Sequence, residues 1–306
     1  MIISVSRRTD IPAYYTPWFI NRLTAGEVFV RNPYRPHQVS RISLSEDTVD
    51  GFVFWSKNPA PLLPHLSKLI KYPFYIQYTL TPYGKDIEPH LPDKWTTALH
   101  NFKVFSAQLS SKQLVWRYDP ILLSGRYTPA FHLNAFEKLC ASLSGKTDLC
   151  ILSFLDAYPS IQPALKKHGI QTVPRSMQME LLSNFSAISN QYGISLAACA
   201  EDTELPVTKS SCIDHHRLAT ISGKTYVVPK AKGQRPNCGC CESIDIGSYR
   251  TCPGNCIYCY ANQGKVPSPH SAHNPDSPLL FGSLTEADTL TNRDMPLFQT
   301  NQISMF

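Results

Sequence analysis

The chain has no cysteine before residue 140, and only Cys140 and Cys150 precede residue 199; the other eight of its ten lie between Cys199 and Cys259. That crowding excludes an even scatter of small core thiols. No apolar run approaches the roughly 20 residues that span a bilayer. The first ten residues, MIISVSRRTD, carry no long apolar stretch behind a basic start, so neither a membrane segment nor a secretory signal is expected. A cytoplasmic location is the expectation that follows, where thiols stay reduced and clustered cysteines bind metal more often than they pair. Charged residues are scarce, 17% against 42% hydrophobic, which excludes global disorder and allows a large core. Between His215 and Cys241 acidic residues are missing altogether. In excess is proline, 25 among 306 residues, where about 5% is usual. The net charge of +6 permits a phosphate-bearing partner without requiring one.

At 306 residues the chain is near the upper size for one domain and has room for two. Short apolar, β-branched or aromatic runs recur at 2–6, 52–55, 74–80, 114–118, 149–155 and 194–200. Helical segments are predicted between them near 16–25, 60–70, 93–109, 129–143 and 175–191. A hairpin is predicted from the runs 27–31 and 39–44. Strand and helix alternate, which predicts an α/β fold with a parallel sheet and right-handed crossovers. Six such units over residues 1–200, with the hairpin inserted near 27–44, suit a partial (βα)6 TIM-like barrel better than an open sheet. The runs end in polar residues: Arg7, Arg8, Thr9 and Asp10, then Ser56, Lys57 and Asn58, then Arg117 and Asp119, and later Glu201. In α/β barrels strand ends converge on the active site, although strand ends meeting solvent are polar in any protein. Residues 201–262 form a cysteine-rich region, and 263–306 read as an extended tail.

Cys252, Cys256 and Cys259 stand in C-x3-C-x2-C spacing within TCPGNCIYCYAN, with Tyr258 directly before the last. Pro253 and Gly254 favour a bend that turns three thiolates toward one point. Thiolates suit iron–sulfur clusters or zinc, and three of them on a four-iron cubane leave one iron open. Cys199, Cys212, Cys238 and Cys240 are candidates for a second, closed site, either an auxiliary [4Fe–4S] cluster or a zinc. Cys140 and Cys150 read as buried core thiols, and Cys241 is unassigned.

The cysteine loop resembles the signature of the radical S-adenosylmethionine (SAM) superfamily, C-x3-C-x-aromatic-C. There the open iron chelates the amino and carboxylate groups of SAM, and one-electron reduction cleaves it to a 5′-deoxyadenosyl radical. That resemblance implies a [4Fe–4S] cluster on the three cysteines, Tyr258 near the adenine, and an electron donor as partner. The superfamily motif follows the first barrel strand, whereas here the first strand leads into RRTD and the cysteines come after all six runs. The segment that usually binds the SAM amine is glycine-rich; here it is WSKNP. The stretches SRRTDIPAYY, FVFWSKNP, WRYDP and QRPNCGCCESIDIGSYRTCPGNCIYCYAN resemble an uncharacterised bacterial family, domain-of-unknown-function family 1848. Membership implies a radical SAM-like fold with its cluster loop relocated to the C-terminus.

Holding SAM calls for cations and short polar groups, for which Ser56, Asn58 and Arg117 are candidates. Lys57, Arg117 and Asp119 are the catalytic candidates; Arg117 and Asp119 have an equal alternative as a structural ion pair. Arg7, Arg8, Arg22, Arg31, Arg35 and Arg41 form one basic group, and Arg217, Lys224, Lys230, Lys232 and Arg235 another. With Tyr34, Trp55, Tyr83 and Tyr226 they offer charge and stacking faces for DNA or other nucleic acid, unless they are ordinary solvated surface. The last residues, Gln302, Ile303, Ser304, Met305 and Phe306, resemble the peptide by which bacterial polymerases and repair proteins dock on the sliding clamp. Two other functions compete with a radical SAM enzyme of DNA repair or modification: a non-catalytic zinc or iron–sulfur nucleic-acid-binding protein, and a nuclease or hydrolase using Asp10, Asp119 and Glu201 as metal ligands.

Overall fold

A computed structural model of the chain describes residues 1–201, 207–235, 237–262 and 273–300. Thirteen strands occur among them: β1 (Ile2–Val5), β2 (Glu27–Arg31), β3 (Gln38–Ser43), β4 (Gly51–Ser56), β5 (Phe74–Thr79), β6 (Leu114–Ile121), β7 (Leu149–Phe154), β8 (Ser195–Cys199), β9 (Thr208–Ser210), β10 (Thr225–Tyr226), β11 (Ile244–Asp245), β12 (Thr289–Asn292) and β13 (Gln299–Thr300). Eight of these form one sheet in the order β11-β1-β4-β5-β6-β7-β8-β9, every pair parallel. The six runs read from the sequence are its centre, and they lie side by side in chain order. The sheet is open, with β11 and β9 at its edges. The sheet thus holds eight strands rather than six, because two short strands from the cysteine-rich region extend the six expected ones at both ends.

Register assigns the two faces, since directly paired residues share one. Phe52, Phe54, Phe74, Ile76, Tyr78, Trp116 and Tyr118 line the face that meets the helices. Phe19 on α2 (Thr16–Ala25) packs edge-on to Phe52 and Phe54. Tyr78 stacks on Phe102 of α3 (Leu99–Ser106) at 5.0 Å, and Trp116 on Phe136 of α4 (Pro129–Leu143) at 5.1 Å. Phe185 of the helix Arg175–Gln191 completes this layer against Phe136. Burying rings of this size is worth about 1.5–3 kcal/mol each, which makes this face the main source of stability. The other face carries Ser4, Trp55, Gln77, Thr79, Arg117, Cys199 and Asp245, and the chemistry gathers there.

The helix ends follow from local sequence. Thr128 accepts the Phe131 N–H and Pro129 opens α4, a side-chain cap with proline in the first turn. Asp93 caps the segment expected as a helix over 93–109, whose first turn, Lys94–Ala98, is π-helical before α3 continues it.

The segment 273–300, expected within the extended tail, packs back on the body. Trp18 donates to the Ser277 carbonyl (2.9 Å), β12 adds in parallel to β3, and β13 pairs with β10. Asp50 accepts the Phe298 and Gln299 N–H groups and meets the N-terminal ammonium at 2.5 Å. Asp288 holds Arg31 of the hairpin. No helix among the described residues is long and apolar enough to cross a membrane.

Candidate functional site

The cysteine loop departs from β11, and β11 lies in parallel beside β1 at the edge of the large sheet. A buried carboxylate fixes that edge. Asp245 accepts from the Ser4 hydroxyl (2.8 Å), the Ser6 hydroxyl (2.6 Å), the Arg7 N–H (2.8 Å) and the Gly247 N–H (3.0 Å). Gly247 has no room for a side chain: a Cβ there would stand 2.0 Å from Ser6 Oγ and 2.6 Å from Ser6 Cβ.

Beyond Gly247 the loop is held at several points. Tyr15 donates its hydroxyl to the Thr251 carbonyl, Asn262 Nδ2 donates to the Cys252 carbonyl at 2.8 Å, and the Ile257 N–H reaches the Ile87 carbonyl at 3.0 Å. Asn255 takes the left-handed conformation, φ 48°, which lets the chain double back between Cys252 and Cys256. At Gly254 a Cβ would lie 3.5 Å from Cys252 Sγ and 3.4 Å from Tyr14 Oη. Cys252, Cys256 and Cys259 are close enough to repel one another as thiolates. Burial pushes the Cys252 thiol up to about 12 and the other two up as well. Protonated thiols are the cheap state of such a place, and a cation is what would stabilise the thiolates.

Two lysines and a glutamate stand beside the loop. Glu88, fully buried, accepts from Lys57 Nζ (2.9 Å), Thr81 Oγ1 (3.0 Å) and the Tyr258 hydroxyl, and forms an ion pair with Lys94 Nζ at 2.5 Å. Burial raises its carboxyl, but the two ammonium groups outweigh that and hold it at about 2. Lys57 Nζ lies 5.4 Å from the centre of the Tyr258 ring, so Tyr258 is gripped at its hydroxyl and over its face. The Lys57 N–H donates to Asp10 at 2.8 Å, and burial pushes the Asp10 carboxyl up to about 6. Ser56 accepts the Asn58 N–H, and Asn58 Oδ1 accepts from Asn101 Nδ2 at 3.3 Å. Both are engaged in holding the turn after β4.

The second set, Cys199, Cys212, Cys238 and Cys240, converges on the same face. Cys199 and Cys212 sulfurs are 2.8 Å apart, Cys212 also contacts Cys240, and Cys240 contacts Cys238. Cys212 is the acceptor at the centre: donation from Cys199 and Cys240, with Arg117 Nη1 at 2.9 Å, holds its thiol well below the usual range. Contact with the Cys240 thiol, whose one proton Cys212 and Cys238 share, holds Cys238 down at about 6. Arg117 also binds Asp119, which in turn accepts from Ser153, and its guanidinium stacks over Trp55 at 5.0 Å. The ion-pair alternative for Arg117 and Asp119 is therefore realised, with one guanidinium arm left for a sulfur. All ten cysteines are free thiols. Among the described residues no three His, Cys, Asp or Glu side chains stand in ready-made metal geometry. The donor chemistry nevertheless fits: the Cys199 and Cys212 sulfurs need only open from 2.8 Å to the roughly 3.8 Å edge of a tetrahedron of 2.3 Å Zn–S bonds, with Cys240 and Cys238 beside them.

Other candidates are placed differently from expectation. Tyr83 and Tyr226 are buried, Tyr83 donating to the Pro120 carbonyl, so they present no stacking face. Arg22, Arg31, Arg41 and Arg217 are engaged by Asp276, Asp288, Glu27 and Asp148. Glu201 accepts the Phe154 N–H, Asp119 holds Arg117, and Asp10 caps α1 (Ile11–Tyr14), so these three carboxylates serve separate local roles. Gln302–Phe306 lie outside the described residues. Glu88, Lys94 and Asp245 were not picked out by sequence; the D-x-G of IDIGSYR was the only local signal for the last.

The profile of a domain of unknown function, DUF1848, matches residues 2–261. The chain belongs to the DUF1848 family. The span that matches DUF1848 takes in the whole large sheet, both cysteine sets and the Glu88 network, and stops before the strap 273–300. No curated protein matches the chain.

Proposed function

We propose that this DUF1848 protein is a radical SAM-type enzyme built on a partial (βα)6 barrel, with Cys252, Cys256 and Cys259 holding a [4Fe–4S] cluster and nucleic acid as substrate. The observation that carries the reading is the position of β11. In space the cysteine loop follows the edge strand that precedes β1, although in sequence it follows all the others. The relocation thus returns the loop to the end of the sheet where the resemblance implies it belongs. When bound, the cluster would supply an open iron for SAM and the electron that cleaves it.

The chain's own residues perform the positioning. Glu88 fixes Tyr258 against the loop, and Lys57 and Lys94 put two positive charges beside Cys256. Burial of the loop among Tyr83, Leu122, Leu155 and Tyr258 excludes water from one side of the thiols. Cys199, Cys212, Cys238 and Cys240 would hold a second metal, zinc or a second cluster, with Arg117 donating to Cys212 to offset thiolate charge. An electron donor and, through Gln302–Phe306, a sliding clamp are the proposed partners. Clamp binding left unchanged by deletion of 302–306 removes the second of these.

Anaerobic reconstitution with iron and sulfide, followed by SAM and dithionite, tests the proposal. The expected product is 5′-deoxyadenosine. Stoichiometric zinc without iron, and no 5′-deoxyadenosine, would instead support a metal-folded nucleic-acid-binding protein.

A further inference from the structure

A cleft of about 510 Å³ opens between the hairpin tip, the loop after β11 and the last turn of the cysteine loop. Its volume falls within the range of small-ligand sites, yet it is separate from the buried Glu88 network. Three tyrosines line it, and each shows a ring to solvent: Tyr34 is 88% exposed, Tyr260 50% and Tyr249 37%. Soluble proteins bury such rings unless something covers them, and three in one cleft make a stacking platform. Arg8 lies over the Tyr249 ring at 5.2 Å. Arg250 lines the cleft and has no acidic partner among the described residues, and no acidic residue lines the cleft at all. Arg31 is also there but is neutralised by Asp288, so the free positive charge comes from Arg250 and, in part, from Arg8, which shares Asp245 at 3.9 Å.

We infer that this cleft binds a single-stranded nucleic acid, with a base stacked on Tyr34 or Tyr260 and the backbone phosphate on Arg250 and Arg8. Flat aromatic faces beside an unpaired cation, with no acid in the lining, are the composition of grooves that track single strands. Position supports it too: Tyr260 and Ala261 directly follow Cys259, and the Arg250 N–H bonds the Ala261 carbonyl at 2.9 Å, so a strand in the cleft runs past the cysteine loop. The strap holds the platform in place, because Asp288 pins Arg31 at the end of β2, next to the hairpin tip that carries Tyr34. The inference rests on the nucleic-acid substrate class proposed above but not on SAM cleavage.

The test is fluorescence anisotropy of a fluorescein-labelled (dT)12 single strand titrated with the full chain, without SAM or reductant. Binding is expected to weaken about tenfold in Tyr34→Ala, the loss of one stacked base; this side chain is exposed, so its removal leaves the core intact. Arg250→Gln should make the plot of log affinity against log salt shallower by about 0.7, one phosphate contact fewer. Lys138→Gln, an exposed change on α4, should bind as the wild type does. No binding by the wild type, or Tyr34→Ala and Arg250→Gln binding as it does, overturns the inference. So does dTMP binding as tightly as (dT)12, or duplex binding more tightly than single strand. Formation of 5′-deoxyadenosine by Tyr34→Ala without substrate reports on SAM cleavage separately.

Discussion

Replacing Glu88 by glutamine removes the carboxylate that Lys57, Lys94 and Tyr258 share while keeping the side chain's volume. The magnitude follows from the network. The two ammonium groups hold the Glu88 carboxyl at about 2 instead of its ordinary 4.5, a difference worth about 3 kcal/mol at about 1.36 kcal/mol per unit. Truncating one partner of a buried ion pair costs a similar amount, about 3–5 kcal/mol, because the other charge is left uncompensated. The side chains of Glu88 and Lys94 are 0% and 6% exposed, so solvent offers little relief. Urea unfolding of the metal-free protein should therefore show the midpoint of Glu88→Gln falling by about 1 M, taking a slope of about 3 kcal/mol per M. Adding Lys94→Met should recover part of the loss, since it removes one of the stranded charges. The sign with pH is also set. This stabilisation is fully present above about pH 4.5 and is lost as pH falls from 4.5 toward 2. A midpoint shift under about 0.3 M would refute the reasoning, because it would mean that the lysines reach water on their own.

Gly247→Ala should unfold or severely destabilise the protein, because its Cβ would sit 2.0 Å from Ser6 Oγ; a melt of the soluble fraction checks this, and Ser6→Gly should restore part of the loss. His132, buried between the Tyr118 hydroxyl and the Leu122 carbonyl, is lowered by burial to about 4. Its neutral form is the one that folds, so about 3 kcal/mol is present above pH 6.5 and lost as pH falls from 6.5 to 4; His132→Gln should flatten melting temperature across that window, and an unchanged slope rejects the assignment. Cys212→Ser should lower the metal content of the purified protein by one site while leaving the cluster of the 252–259 loop, as read by metal analysis and the visible spectrum. An equal loss from both sites would mean that the two sets are not independent.

The parts of the fold legible in the sequence were those with a long apolar signal. The six central strands and the helices at 16–25, 129–143 and 175–191 appear where aromatic and β-branched runs, prolines and caps predict them. What escaped is short. β11 has two residues and β9 three, too few for any periodicity, yet β11 decides where the cysteine loop lies. The chain order of the six central strands follows from the alternation of strand and helix, whereas their extension by β11 and β9 does not, because strands so short carry no signal of their own. The four cysteines of the second set share no regular spacing, and their convergence comes from Cys199 at the end of β8 meeting Cys212 across the inner face. Glu88 and Lys94 belong to no motif in the sequence, and only their burial against Lys57 gives them a role. Conversely, Tyr83 and Tyr226 looked available for stacking because an aromatic residue's exposure is set by tertiary packing, while Tyr249 and Tyr260, which line the cleft, stood unremarked between stronger motifs.

The most direct test of the central claim, that Cys252, Cys256 and Cys259 hold a cluster with one open iron, is the electron paramagnetic resonance spectrum of the reduced, reconstituted protein with and without SAM. In the Cys212→Ser background, where a second cluster contributes nothing, the account predicts a [4Fe–4S] signal that SAM alters and that Cys256→Ser abolishes. A signal that ignores SAM and survives in Cys256→Ser would contradict it.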